Sequence, residues 1–103
     1  MTTEANIQKQ IMLAISEAGG RVWRNNVGVL KDKRGIPIRF GLCPGSSDLI
    51  GVCPSGKMLA IEVKKPGKKP RKDQQKFIDF INSMGGKAGV ATSAKDAVDI
   101  MRG

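Results

Sequence analysis

Two acidic residues and a lysine occupy positions that a β-hairpin would bring together. Asp48 begins one apolar run, and Glu62 and Lys64 lie at the end of the next. Side chains alternate between the two faces of a strand, so Glu62 and Lys64 share a face. A turn centred on Ser55 would place Asp48 directly opposite Glu62. A slip of one residue would move Asp48 to the other face, so the pairing depends on this turn.

This pairing predicts a site for a hard divalent cation. Directly opposed side chains have Cβ atoms roughly 4.5–5.5 Å apart, so two carboxylates there repel each other unless a cation binds both. Mg²⁺ favours such oxygen ligands. The ion would polarise a phosphoryl oxygen and lower the pKa of a bound water, while the amine of Lys64 stabilises developing charge or orients that water. The pattern therefore indicates phosphodiester hydrolysis.

The charge balance predicts a polyanionic partner and limits the chemistry. The 103 residues include 18 Lys and Arg against 9 Asp and Glu, a formal charge of +9, and no His. His-dependent triads are excluded, and with only Cys43 and Cys53 the chain cannot build a zinc site of the usual N/S kind by itself. Phosphates attract Lys and Arg, so nucleic acid is the expected partner. Seven cations crowd one segment: Lys64, Lys65, Lys68, Lys69, Arg71, Lys72 and Lys76.

The elements that position these residues follow from hydrophobic periodicity. Ile7, Ile11 and Ile15 mark one face of a first helix, with Thr2 or Thr3 as its N-cap. Strand-like runs follow at residues 21–24, 27–30, 36–40, 48–52, 58–64 and 87–91, and helical patterns at 72–84 and after residue 93. This order predicts a single α/β domain over residues 1–103, with a central mixed sheet flanked by helices.

Each of these features also has a structural explanation. A Glu-x-Lys pair on a strand is often a solvated ion pair, and a basic loop is often a general nucleic-acid-binding segment. Gln74 and Gln75 fit the surface of a helix, and Glu4 fits a favourable interaction with a helix dipole. A non-catalytic nucleic-acid-binding module is therefore the alternative to a nuclease. Substituting Glu62→Ala or Lys64→Ala would separate the two, since a binding module would keep its function.

The order of the motifs resembles that of one nuclease family. The chain has Glu4 on the first helix, then Arg24-Asn-Asn-Val-Gly28, Gly45-Ser-Ser-Asp48, Ile61-Glu-Val-Lys64, Gln74-Gln-Lys-Phe77 on a helix, and Gly85. This order closely resembles the virus-type replication-repair nuclease (VRR-NUC) domain, a branch of the PD-(D/E)xK superfamily. The resemblance covers nearly the whole chain and implies a restriction-endonuclease-like core in a stand-alone VRR-NUC domain.

The resemblance also implies roles for individual residues. Asp48 and Glu62 would bind Mg²⁺, or Mn²⁺ in its place, together with the backbone carbonyl of Val63. Lys64 would be the catalytic lysine. Gln74 would reach into the site, with Gln75 as the less favoured register, and Glu4 would support the metal directly or through water. One departure is Ser47-Asp48, where the superfamily name promises Pro-Asp. The expected DNA-binding residues are Arg24, Asn26, Lys65, Lys68, Lys69, Arg71, Lys72 and Lys76.

The expected function is a metal-dependent, structure-selective DNA endonuclease that resolves four-way (Holliday) junctions as a homodimer. Two active sites related by a two-fold axis suit a substrate with matching symmetry. The alternatives are a flap or nicking endonuclease and, less favoured, a sequence-specific restriction-like enzyme. The apolar residues of Val27–Leu30 and of the last helix are candidate dimer surfaces. With no apolar stretch near the ~20 residues of a membrane span, we expect a soluble cytoplasmic protein.

Overall fold

A four-stranded mixed sheet with helices on both faces forms the body of the protein. The computed structural model describes residues 2–103. The sheet order is β1-β4-β5-β6, in which only the β5–β6 pair is parallel, and β2 and β3 form a separate two-stranded sheet. This architecture confirms the α/β prediction. The elements are α1 (Glu4–Glu17), β1 (Arg21–Arg24), β2 (Gly28–Lys31), β3 (Pro37–Phe40), β4 (Leu49–Val52), β5 (Met58–Val63), α2 (Lys72–Ser83), β6 (Lys87–Ala91) and α3 (Ala94–Arg102).

The larger core lies between the sheet and the helices α1 and α3. The Thr3 hydroxyl caps α1 by accepting a hydrogen bond from the backbone N–H of Asn6, 3.1 Å away. Ile7, Ile11 and Ile15, at the predicted spacing, are buried against the sheet and α3. Burial of such side chains contributes roughly 1.5–3 kcal/mol each. This apolar layer holds the face of β5 that carries Leu59, Ile61 and Val63.

The opposite face of the sheet is covered by α2. Ala60 and Ala88 of the sheet pack with Ile78 and Ile81 of the helix in a smaller core. Because side chains alternate along β5, Glu62 lies on the same face as Ala60 and points towards α2. The helix therefore decides how deeply Glu62 is buried.

The predicted register of the β4–β5 hairpin is confirmed. Ile50 pairs with Ala60 and Val52 with Met58, as a turn centred on Ser55 requires. Asp48 precedes the first strand residue, so continuation of this register places it opposite Glu62.

The β2–β3 hairpin stands apart from the sheet. We call residues 27–42 the arm. Its strands pair Val29 with Arg39 and Leu30 with Ile38, and every residue from Val29 to Phe40 except Asp32 is exposed. Paired residues share a face, so one face of the arm carries Leu30 and Ile38 and the other carries Val29 and Arg39. The arm thus presents two different faces to its surroundings.

The expectation that α3 offers a free apolar face is wrong. Ala97 and Met101 are buried, because α3 packs against α1 and β6. The predicted helix start is confirmed, with the Ser93 hydroxyl accepting a hydrogen bond from the Asp96 backbone N–H at 3.1 Å. The Asp96 carboxylate accepts hydrogen bonds from the backbone N–H and hydroxyl of Thr92, at 3.0 and 2.8 Å. The arm carries several exposed apolar side chains, and Leu13, Trp23, Phe80 and Met84 are exposed elsewhere on the described surface.

Candidate active site

Glu62 is a buried carboxyl group at the carboxyl end of β5. Its side chain is only 2% exposed, and the atom Oε1 has no hydrogen-bond partner among residues 2–103. An unpaired polar atom at such depth costs free energy and indicates a missing partner such as an ion or water. Glu62 is therefore the residue on which a functional explanation must centre.

The electrostatic environment of Glu62 opposes its ionisation. Burial raises the pKa of Glu62 from 4.5 to about 8, and the neighbouring Asp48 carboxylate contributes to the increase. The positive charges of Lys64 and Arg71 lower this pKa, but by less. Strongly perturbed carboxyl groups of this kind concentrate at functional sites, because structure alone seldom requires them. Without a bound cation, this environment therefore favours the protonated form of Glu62.

Asp48 is held beside Glu62 by the backbone of β5. Its Oδ2 atom accepts a hydrogen bond of 2.9 Å from the Val63 N–H. The backbone carbonyl of Asp48 accepts another, of 2.8 Å, from the N–H of Asn25 at the end of β1. Both hydrogen bonds fix the orientation of Asp48 without using a further acidic or basic side chain. Asp48, Glu62 and Val63, the three predicted metal ligands, are thus close neighbours.

Gln74 and Lys64 both approach the same oxygen of Glu62. The amide Nε2 of Gln74 donates a hydrogen bond of 3.1 Å to Glu62 Oε2, and the Lys64 ammonium lies 3.7 Å from that atom. Gln74 Oε1 accepts a hydrogen bond of 2.8 Å from the Arg71 backbone N–H, which fixes which end of the amide faces Glu62. By contrast, Gln75 is exposed and bonds to Asp79. The geometry thus favours the predicted register at Gln74.

Asn25 organises the loop that delivers Asp48, and the sequence patterns did not single it out. Its side-chain Nδ2 donates hydrogen bonds to the Ser46 hydroxyl at 2.7 Å and to the Ser47 carbonyl at 2.9 Å. Its Oδ1 accepts one from the Leu42 N–H at 3.3 Å. Asn25 therefore ties the base of the arm to the loop before Asp48. The segment Arg24-Asn-Asn-Val-Gly28 could have indicated Asn25, but from that segment only Arg24 and Asn26 were predicted to have a role, which was to bind DNA.

A groove of about 360 Å³ opens from Asp48 to the surface. The arm contributes Val27, Val29 and Arg39 to its lining, and the amino end of α2 contributes Arg71 and Gln74. Arg39 was not among the predicted DNA-binding residues, because nothing in the chain pattern separates it from the other exposed cations of the arm. The groove gives a substrate access to Asp48, beside which Glu62 is buried.

The remaining predicted residues lie outside this cluster. Glu4 is exposed in the first turn of α1, and among residues 2–103 no three acidic, His or Cys side chains form a group that could share a metal. A role for Glu4 through water stays a prediction. The eight predicted DNA-binding residues are all exposed, and of these Arg71 lines the groove. The others are Arg24, Asn26, Lys65, Lys68, Lys69, Lys72 and Lys76.

The chemistry of the cluster suits a hard divalent cation. Glu62 Oε1 is buried without a partner, and all the candidate donors are oxygen atoms of Asp48, Glu62 and the Val63 carbonyl. Mg²⁺ commonly uses one or two carboxylates and completes its octahedral shell with water and substrate phosphate. Two carboxylates are therefore enough, and a third acidic residue is not required.

Comparisons with known proteins agree with this arrangement. The family model of the VRR-NUC domain matches residues 3–95. Among solved structures, one described as a VRR_NUC domain is similar to this chain, with a TM-score of 0.66 and 23% sequence identity. The match covers 99% of this chain and 97% of that one, and at this identity it concerns the fold. The comparison with curated proteins found no match.

PD-(D/E)xK nucleases are named for an acidic residue and a Glu-x-Lys type of pair. Here Asp48 and the pair Glu62 and Lys64 lie together at adjacent strands of a mixed sheet flanked by helices. The chain belongs to the VRR-NUC family, a branch of that class, because the family model spans most of its length. Family membership implies a nuclease and hence DNA binding. None of the helices described in residues 2–103 has the length and apolar character needed to cross a bilayer.

Proposed function

We propose that this protein is a Mg²⁺-dependent endonuclease that hydrolyses DNA phosphodiester bonds at the Asp48–Glu62 pair. The observation that carries the proposal is the buried, unpartnered Oε1 of Glu62 beside Asp48, a second carboxylate that lines an open groove. Asp48, Glu62 and the carbonyl of Val63 would hold the ion, and Mn²⁺ would substitute for it. When bound, such an ion polarises a phosphoryl oxygen and lowers the pKa of a water molecule.

The protein residues have separate tasks in this proposal. The Lys64 ammonium, 3.7 Å from Glu62, stabilises negative charge that develops on the phosphate or orients the attacking water. Gln74 holds Glu62 in place through its amide, whose orientation the Arg71 backbone N–H determines. Exposed cations around the groove bind flanking phosphates. No imidazole is needed, which agrees with a chain that has no His.

The proposed substrate is a four-way DNA junction, cut symmetrically by a homodimer. A two-fold dimer presents two identical sites to a substrate of the same symmetry. We call the face of the arm that carries Leu30 and Ile38 its outer face. This face supports a dimer, because Leu30 is 67% and Ile38 54% exposed. Exposed apolar groups clustered on one face favour association.

The proposed compartment is the cytoplasm. Cys43 and Cys53 are both free thiols, which suits the reducing cytoplasm.

Incision of radiolabelled DNA in Mg²⁺ or Mn²⁺ tests the catalytic part. Asp48→Ala should lower the rate by at least about 100-fold, and Lys64→Met should have a similar effect, since each removes a group that stabilises the transition state. Asp79→Ala, an exposed change on α2, is the matched control and should cut at the wild-type rate. Binding without metal-dependent incision by the wild type would refute the nuclease and favour a binding module.

The same assay on a junction, a linear duplex and a 5′ flap tests the substrate. We expect the junction to be cut fastest and at symmetrical positions. Equal rates on junction and duplex would refute junction selectivity, and preference for the flap would identify a flap endonuclease.

Light scattering tests the dimer independently. Ile38→Glu places a charge on the outer face of the arm and should yield a monomer, whereas Leu13→Glu, on the exposed side of α1, should not. A monomeric wild type at micromolar concentration would refute the homodimer.

A further inference from the structure

The arm and α2 both reach the candidate active site, although the arm precedes Asp48 in the chain and α2 follows it. One part of the groove lining, Val27, Val29 and Arg39, comes from the arm, and another, Arg71, comes from the amino end of α2. Asp48 lies in the lining of the same groove. A strand of DNA that brings a phosphate to Asp48 would therefore contact both elements.

Arg39 is free to bind an anion. It is exposed and, within residues 2–103, forms no ion pair with an acidic side chain, whereas Arg71 lies 3.3 Å from Asp73. The planar guanidinium group of arginine matches the geometry of a phosphate and can bind two oxygens at once. Asp48 and Asp73 both line the groove, so the two arginines, which come from separate elements, balance its two carboxylates. Arg39 is the arginine whose charge no ion pair already uses.

The remaining lining of the arm has a complementary character. Val29 is the cross-strand partner of Arg39, so an aliphatic side chain lies beside the guanidinium group. Val27 extends this apolar surface, and among the described residues that line the groove none is aromatic. Aromatic rings are the usual platforms on which bases stack. The groove, lined by arginines and aliphatic side chains without aromatic rings, therefore favours contacts to sugar and phosphate over stacked bases.

The position of the arm relative to Asp48 is fixed at its base. Asn25 accepts a hydrogen bond from the Leu42 N–H, and its own N–H donates to the Asp48 carbonyl. Gly41, with φ +86°, lies so close to Asn26 that an added Cβ would be 2.5 Å from the Asn26 carbonyl oxygen. These contacts hold the groove-facing side of the arm at a defined distance from the carboxyl pair.

We propose that the arm and the amino end of α2 together clamp the DNA strand that is cut, with Arg39 binding a phosphate on one side of the scissile bond and Arg71 binding one on the other. This inference rests on the proposed nuclease function. It assigns a substrate-binding role to Arg39 and makes the arm part of the active site, with contacts to backbone and not to bases.

Binding of a fluorescent four-way junction in EDTA, followed by anisotropy over a range of NaCl concentrations, tests the clamp. Loss of one phosphate contact should reduce the slope of log K against log [salt] by about 0.9 and weaken binding about eightfold at 0.1 M salt. We expect this of Arg39→Ala, while Arg39→Lys keeps the wild-type slope because it keeps the charge. Junctions of unrelated sequence should give the same values.

Two charge-matched controls define the outcome. Arg34→Ala removes an arginine from the arm turn outside the groove, and Arg102→Ala removes one from the end of α3. Both should bind nearly as the wild type does. If Arg39→Ala behaves like these controls while the wild type still cuts DNA, the clamp is refuted and the nuclease stands. If Arg34→Ala loses as much as Arg39→Ala, the arm binds as a general cationic surface and the clamp is again refuted. A wild type that neither binds nor cuts DNA overturns both proposals.

Discussion

Replacing Glu62 by Gln should make the metal-free protein more stable at alkaline pH and remove most of its pH dependence. The native pKa of Glu62 is raised to about 8 from an ordinary value of 4.5, chiefly by burial and also by the Asp48 carboxylate. Between these two values the native state keeps a proton that the unfolded chain releases. The free energy of unfolding of the wild type therefore falls as the pH rises through this window.

The size of the effect follows from the same two values. At about 1.4 kcal/mol for each pKa unit, the difference corresponds to a loss of at most roughly 5 kcal/mol on going from pH 4.5 to above pH 8. A domain of this kind is stable by only about 5–15 kcal/mol, so the loss is a large part of the total. Gln has nearly the same shape, can still accept the hydrogen bond from Gln74, and carries no charge to desolvate.

Urea unfolding in EDTA between about pH 5 and pH 8.5 measures the effect. Other shifted groups do not titrate in this window: the pKa values of Asp32 and Asp96 are lowered by backbone hydrogen bonds, and burial raises the pKa of the Cys53 thiol above 9.0. Glu17→Gln, an exposed change on α1, is the control. Parallel curves for wild type and Glu62→Gln, within about 0.5 kcal/mol, would refute the explanation based on a desolvated carboxyl group.

Mg²⁺ should reverse the pH effect in the wild type. Since only the ionised pair binds the ion, saturating Mg²⁺ at about pH 8 should stabilise the wild type by roughly 2.7 kcal/mol at a concentration 100 times the Kd. Glu62→Gln should gain much less. Equal stabilisation of both proteins would show that the ion binds elsewhere.

Three further substitutions test the parts that position the site. Gln74→Leu should lower the incision rate and shift its pH profile, because Glu62 loses its amide donor, while Gln75→Leu should leave both unchanged. Gly45→Ala should destabilise the protein by more than the roughly 1–2 kcal/mol expected for Gly35→Ala. Both glycines have positive φ, but only the Cβ added at residue 45 would meet backbone, 2.8 Å away in the first turn of α2; equal losses in urea unfolding would contradict this. Asn25→Ala should cost about 1–3 kcal/mol and slow incision, since the loop before Asp48 loses its side-chain hydrogen bonds, whereas Asn6→Ala, on the exposed surface of α1, should do neither.

The hairpin that carries the site could be predicted because its determinants are local. The turn around Ser55 sets the register, and the two-residue period of the strand places Glu62 and Lys64 on one face. Both effects act through the backbone over a few residues. The buried face of α1 could equally be predicted from its isoleucines, since a helix repeats every 3.6 residues whatever surrounds it.

The burial of Glu62 could not be predicted in this way. Periodicity shows which side of β5 the residue occupies, but α2, which covers that side, begins ten residues further along the chain. Whether Gln74 or Gln75 faces the sheet depends on the rotation of this helix, which the packing of Ile78 and Ile81 against Ala60 decides. Exposure and pKa are thus properties of the assembled layers.

The sequence by itself determined the types of the elements, the pairing of β4 with β5, the shared face of Glu62 and Lys64, and a motif order that identified the family. The tertiary structure alone decided that α2 buries Glu62 and supplies Gln74, that the arm leaves the central sheet to line the groove with Arg39, and that Glu4 stays apart. The physical reason is the distance along the chain over which each interaction acts. Turn closure and side-chain alternation act within one element or hairpin, whereas contacts between distant elements depend on how whole faces pack, and no short pattern encodes that packing.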